Sequence, residues 1–119
     1  MRLVALRGGA GDDEVLRTAQ DVEDFEQEIV DEYAIAMAAA GLSDGYIRTT
    51  SATIIEFARS LTGPLWEASF ADADRFLVEQ RRMGHAVSTR AGKAGALALF
   101  YEFVVALSLI HISEPTRPY

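Results

Sequence analysis

The residues best suited to hold a ligand are hydroxyl and basic side chains near the fronts of two amphipathic segments. Arg48 and Thr49 stand near the front of one, with Arg59 further along it. Thr89, Arg90 and Lys93 stand near the front of the other. A helix N-terminus leaves backbone N–H groups unpaired, and these attract anions. Thr hydroxyls add donors, and Arg and Lys neutralise phosphates. The chemistry offered is a grip on a phosphate backbone, with guanine edges in reach where a helix enters a major groove. On composition alone the same charges read as a solvated face.

Other side chains offer less. There is no cysteine, hence no disulfide framework, thiol nucleophile or thiolate metal site. The two histidines, His85 and His111, are too far apart in sequence for a metalloprotease helix. Glu26, Asp31 and Glu32 form an acidic face better read as solvated than as a cation site. Asp72 and Asp74 lie at a helix start and read as caps. Arg81 and Arg82 close a helix, where cations suit the dipole. Trp66 reads as a core plug over a link between helices, and His85 as an exposed residue after a helix-ending glycine. Tyr33 and Tyr101 lie in apolar stripes and Tyr119 in the tail, without clustered arginines and histidines around them. No catalytic residue, metal ligand or cofactor is expected.

Four helices have to position these residues. Phe25, Ile29, Tyr33, Met37 and Ala40 recur at three- and four-residue steps, which predicts a helix over 22–41, ended by Gly41. Ser43 or Asp44 caps a second over 44–62, with Ile47, Thr50, Ile54, Phe57, Ala58 and Leu61 in its stripe and Gly63-Pro64 after it. The capping box Ser69-x-x-Asp72 opens a third over 70–83, with Ala73, Phe76, Leu77 and Gln80 inward and Gly84 at its end. The fourth spans 87–106 through Leu97, Phe100, Tyr101 and Val104. Gly92 and Gly95 inside it mark either a close approach or a frayed first turn. No strand pattern of comparable length appears. The expected fold is all-α, a compact four-helix bundle behind a loose acidic N-terminal tail (residues 1–21), with one helical turn placed around 14–17. The shared core is expected to hold Ile29, Tyr33, Met37, Ile54, Phe57, Leu61, Phe76, Leu77, Leu97, Phe100 and Tyr101.

The chain has 119 residues and a net charge of −7, enough for one domain and one core. The whole excess lies in residues 1–32, where ten acids face three arginines; the remainder is balanced. An acidic chain disfavours nucleic acid as a partner when its charge is uniform, and here it is not. No apolar run reaches the roughly 18 residues of a spanning helix. The four-residue apolar stretch 3–6 is far short of a secretory signal core. A cytoplasmic protein without a membrane partner is expected.

Two segments share a layout: Gly41-x-Ser43-x-x-Tyr46-Ile47-x-x-Thr50-x-x-x-Ile54-x-x-Phe57, and Gly84-x-x-x-x-Thr89 followed by Phe100-Tyr101-x-Phe103. Together they resemble the N-terminal core-binding domain of tyrosine site-specific recombinases, the phage-integrase SAM-like domain, over about residues 22–106. Tyr46 stands where that family most often has Thr, Thr50 where it often has an aromatic, and Gly92 where it often has Asn or Arg. The resemblance implies double-stranded DNA as partner, contacted by helices two and four through Arg48, Thr49, Arg59, Thr89, Arg90 and Lys93. It also implies a parent that assembles as a multimer on DNA and cuts it with a tyrosine in a later domain. Within residues 107–119, LSLIHISEPTRPY, the stretch Leu107 to Arg117 resembles the translation of a transposon-end adapter used to make sequencing libraries. They are expected to be a non-native tail on a truncated chain that lacks the catalytic domain. The alternative is a small helical interaction module that docks a protein through its acidic first helix. If Arg48, Arg59, Arg90 and Lys93 all neutralise phosphates, log K should fall against log salt with a slope of about −3.6. Incubation of the chain with nicked or intact duplex is expected to yield no covalent DNA–protein adduct in a denaturing gel.

Overall fold

The computed structural model describes residues 18–113, with side-chain burial to residue 107. Its elements are α1 (Ala19–Ala39), α2 (Asp44–Ser60), a 3-10 turn (Leu65–Glu67), α3 (Phe70–Arg82) and α4 (Val87–Ser113). No strand occurs among the described residues. The expected all-α four-helix bundle is the fold. The expected turn around 14–17 and most of the expected tail lie outside the described residues.

Local chemistry sets the starts of the first three helices. Thr18 Oγ1 accepts from the Asp21 amide at 3.0 Å, and the Asp21 carboxylate accepts from the Thr18 amide at 3.3 Å. This capping box starts α1 three residues before the expected position 22. Ser69 and Asp72 repeat the arrangement at α3, at 3.2 and 2.9 Å. Ser43 Oγ accepts from the Tyr46 amide at 3.1 Å and caps α2.

Two helices end alike. Gly41 and Gly84 have φ of 87° and 90°, a region where a Cβ is costly and glycine is not. Gly41 donates to Ala38 O at 3.0 Å and Leu42 to Met37 O at 3.1 Å. Gly84 donates to Arg81 O at 3.0 Å and His85 to Gln80 O at 3.1 Å. Both are Schellman closures, and they reverse the chain after α1 and α3.

Two expected ends differ. α2 stops at Ser60, because Leu61 is already extended (ψ 153°) ahead of Gly63-Pro64. α4 runs on to Ser113, past the expected end at 106. Residues 107–113 contain no proline or glycine, and the first breaker is Pro115.

The core gathers Phe25, Ile29, Val30, Tyr33 and Met37 from α1 with Ile54 and Phe57 from α2. Phe76 from α3 joins Leu97, Phe100 and Val104 from α4. Leu61, Leu77 and Tyr101, expected inside, are half-buried and pack against this cluster. Edge-on aromatic contacts link it: Phe57 to Phe76 at 5.3 Å and Tyr33 to Phe100 at 5.4 Å between ring centroids.

The 3-10 turn is part of that core. Leu65 is 1% and Trp66 7% exposed. Trp66 meets Phe25 edge-on at 5.0 Å, so it is a plug as its sequence context suggests. Glu26 Oε2 on α1 accepts from the Leu65 amide at 2.8 Å. Tyr101 on α4 donates its hydroxyl to the Leu65 carbonyl at 2.6 Å. Burial raises the Glu26 carboxyl above its ordinary pKa, against the lowering effect of the Leu65 amide.

Phe57 is 1% exposed and touches both Phe76 and Tyr101. Phe57→Ala should cost about 3–5 kcal/mol in denaturant unfolding. A loss below about 1 kcal/mol would contradict this packing.

Candidate nucleic-acid interface

The outward face of α2 carries Gly45, Arg48, Thr49, Ala52, Glu56 and Arg59, recurring at three- and four-residue steps. Arg48 and Arg59 are eleven residues apart, so they lie on nearly the same side, separated by about 16 Å along the axis. Both are exposed. Neither has a salt-bridge or hydrogen-bond partner among the described residues. Thr49 and Ala52 between them are also exposed and small, leaving a low stretch between two free guanidinium groups.

Lys93 is placed differently from the sequence expectation. Its amine donates to Glu56 Oε1 at 2.9 Å and to Gln80 Oε1 at 2.6 Å. Gln80 Nε2 donates to Glu56 Oε2 at 3.2 Å, closing a ring of contacts across α2, α3 and α4. The Lys93 side chain is only 17% exposed, and its amine lies 6.0 Å from the centroid of the Phe76 ring. Gln80 is 2% exposed. Lys93 is therefore an internal tie, and its charge is spent on Glu56. Burial works to raise the Glu56 pKa, but hydrogen bonds from Lys93 and Gln80, with the charges of Lys93 and His85, hold it below its ordinary value.

Arg90 is half-buried, and its Nε donates to the His85 carbonyl at 3.2 Å, bracing the α3–α4 connection. Thr89 is exposed one turn ahead of the point where Lys93 meets Glu56. The fronts of α2 and α4 do not come together. The front of α4 instead meets the later half of α2 at Glu56. The structure thus groups Arg48, Thr49 and Arg59 on one face and sets Thr89 and Arg90 apart. Gly92 and Gly95 lie in regular helix on the exposed side, with nothing within 4 Å of where a Cβ would stand, so no described part of this chain packs closely against them.

The remaining arginines of α3 divide. Arg75 pairs with Asp72, and Arg82 with Glu79 at 3.0 Å. Arg81 is exposed at the helix end, as its position suggested. Tyr101 has its hydroxyl bound to Leu65, and burial pushes its pKa up. That is the reverse of an activated nucleophile.

Sequence reasoning missed Glu56. A carboxylate on an exposed helix position carries no signal of its own, and only its long-range partner makes it part of the fold. Gln80 was legible as an inward residue, since it falls on the Phe76–Leu77 stripe.

Among the described residues no group of acidic, His or Cys side chains could hold a metal ion, and no helix is long and apolar enough to cross a membrane. Comparison with known protein families, curated proteins and solved structures finds no match.

Lys93→Ala should cost about 1–3 kcal/mol, because it leaves the buried Gln80 carbonyl oxygen unpaired. Replacing this residue is thus not neutral to the fold. The Glu56 pKa is lowered on folding, so its contribution to stability is complete above its unfolded pKa of about 4.5 and is lost as pH falls through the lower folded value. Urea unfolding from pH 6 to 3 should show less acid destabilisation in Glu56→Gln than in the parent. Identical pH curves would show that the tie carries no stability.

Proposed function

We propose that this chain is a DNA-binding module that lays the outer face of α2 against duplex DNA. The supporting observation is the pair of arginines, Arg48 and Arg59, on one exposed face and without a salt-bridge or hydrogen-bond partner among the described residues. A B-DNA major groove is about 12 Å wide between its phosphate walls. Two cations about 16 Å apart along a helix can reach phosphates on either side of it. Thr49 adds a hydroxyl donor to the same face. The Lys93 pairing offsets the charge of Glu56 on this face, and Asp44, one turn before Arg48, is the other carboxylate beside it. In this reading Lys93 prepares the surface and does not touch the phosphates. The layout Gly41-x-Ser43 through Phe57, with Gly84, Thr89 and the Phe100-Tyr101-x-Phe103 block, fits the same reading through its resemblance to recombinase core-binding domains. The parent protein would then be a DNA strand-cleaving and rejoining recombinase acting as a multimer on DNA. This chain supplies grip and not chemistry.

The affinity should be weak. Only two arginines are free on the face, and the chain carries a net charge of −7. A dissociation constant toward the weak end of about 10⁻⁴ to 10⁻⁶ M at physiological salt is expected.

Fluorescence anisotropy with a labelled duplex at several salt concentrations tests this. With two phosphates neutralised, log K should fall against log salt with a slope of about −1.8, and Arg48→Ala/Arg59→Ala should bring it near zero. An unchanged slope in the double variant would remove α2 as the contact. No DNA binding at any salt would favour the other class of function, a protein-docking module led by acidic α1. On α1, Ile35 is 69% exposed and follows the exposed Asp31 and Glu32.

A further inference from the structure

A groove runs between the first three turns of α1 and the end of α2. Ala19, Glu23, Glu26 and Val30 line it at three- and four-residue steps, so it follows α1 for about 16 Å. Val22 on α1 faces Ile55, Ala58 and Leu61 across an apolar floor. The groove encloses about 770 Å³, within the range of about 300–1,000 Å³ found for clefts that hold a ligand. No residue of α3 or α4 lines it. The packing of the four helices therefore leaves it open along its length.

One wall of the groove is acidic. Glu23 and Asp24 are exposed along α1, and Glu26 stands beside them with Oε2 on the Leu65 amide. From Ala19 to Ala39 α1 has no basic residue to set against them. Asp24 accepts from the Gln20 amide group at 2.9 Å, and no salt bridge holds Glu23 or Asp24 among the described residues. The opposite rim carries a single cation, Arg59. Three carboxylates against one guanidinium leave the groove net negative above its apolar floor.

We propose that this groove takes a basic amphipathic helix of a partner protein, with its apolar side chains on Val22, Ile55, Ala58 and Leu61 and its lysines or arginines toward Glu23 and Asp24. Charge and shape choose the occupant. The acidic wall repels duplex DNA. An uncharged or acidic helix could fill the floor but would leave Glu23 and Asp24 without counter-charge. A helix of about three turns matches the length of the groove and lays apolar residues at i, i+3 or i+4, and i+7 along it. Arg59 on the other rim suits an acid on the opposite flank of that helix, which fixes how it faces. This inference does not depend on the DNA-binding reading, since neither Arg48 nor Thr49 lines the groove.

The probe is a synthetic Leu/Lys peptide of about four helical turns with its leucines on one face. A scrambled peptide of the same composition carries equal charge without that face. Fluorescence anisotropy of each labelled peptide with the full chain measures binding. The Leu/Lys peptide should bind at least about tenfold more tightly than the scrambled one, because only it buries a continuous apolar face. Glu23→Lys/Asp24→Lys should weaken it about tenfold at low salt. Both positions are exposed, so far-UV circular dichroism should show the helices intact. In an NMR titration of the unaltered chain, the amides of Val22, Glu23, Ala58 and Leu61 should shift. Equal binding of the two peptides would overturn the proposal, since charge alone would then explain it. Unchanged affinity in the double variant, or shifts confined to other faces, would overturn it as well. The same variant keeps Arg48 and Thr49, so its DNA binding reports separately on the outer face of α2.

Discussion

The Leu65 peptide is the constraint on which the rest of the structure hangs. Its amide is held by Glu26 from α1 and its carbonyl by Tyr101 from α4. Each hydrogen bond contributes only about 1 kcal/mol net. Their effect is positional: they pin the longest of the three links between helices, the one that holds the 3-10 turn. With the turn pinned, Leu65 and Trp66 go inside, and burying two large apolar side chains contributes several times more than the bonds themselves. Glu26 is half-buried, so it gives up part of its water to make this contact, and that burial raises its carboxyl pKa.

The turn sets where α3 begins, and α3 in turn brings Gln80 to the junction of three helices. There a nearly dry amide, a half-exposed carboxylate and a lysine satisfy one another. Removing any one takes a hydrogen-bond partner from each of the other two, which makes the junction selective for one arrangement of α2, α3 and α4. The same junction shapes the outer surface. Glu56 would otherwise place an unopposed negative charge between Arg48 and Arg59. Paired to Lys93, it leaves α2 with a net positive outer face on a chain that is acidic as a whole. Fold stability and surface charge are therefore one problem here, solved by the same three side chains.

Much of the architecture was legible in the residues. Gly41, Ser43, the Ser69–Asp72 box and Gly84 each act within a few positions of themselves, through i to i+3 bonds or a positive φ. The Thr18–Asp21 box was equally local. The apolar stripe begins only at Phe25, so periodicity alone starts α1 three residues late. α4 passes the expected end at 106 because residues 107–113 hold no breaker, the first being Pro115.

By itself the sequence determined the helices, their order and most of the core face of each, because caps, breakers and 3.6-residue periodicity are local properties of the chain. Only the tertiary structure decided what the charged residues do. Arg48, Arg59 and Lys93 read alike in sequence, as cations outside the apolar stripes. Lys93 meets Glu56 across 37 residues and Gln80 across 13, while Arg48 and Arg59 have no salt-bridge or hydrogen-bond partner among the described residues. A charge at the end of a long flexible stem takes whatever partner packing brings within about 3 Å. Which partner that is depends on how α2, α3 and α4 cross, and no spacing along the chain encodes that crossing.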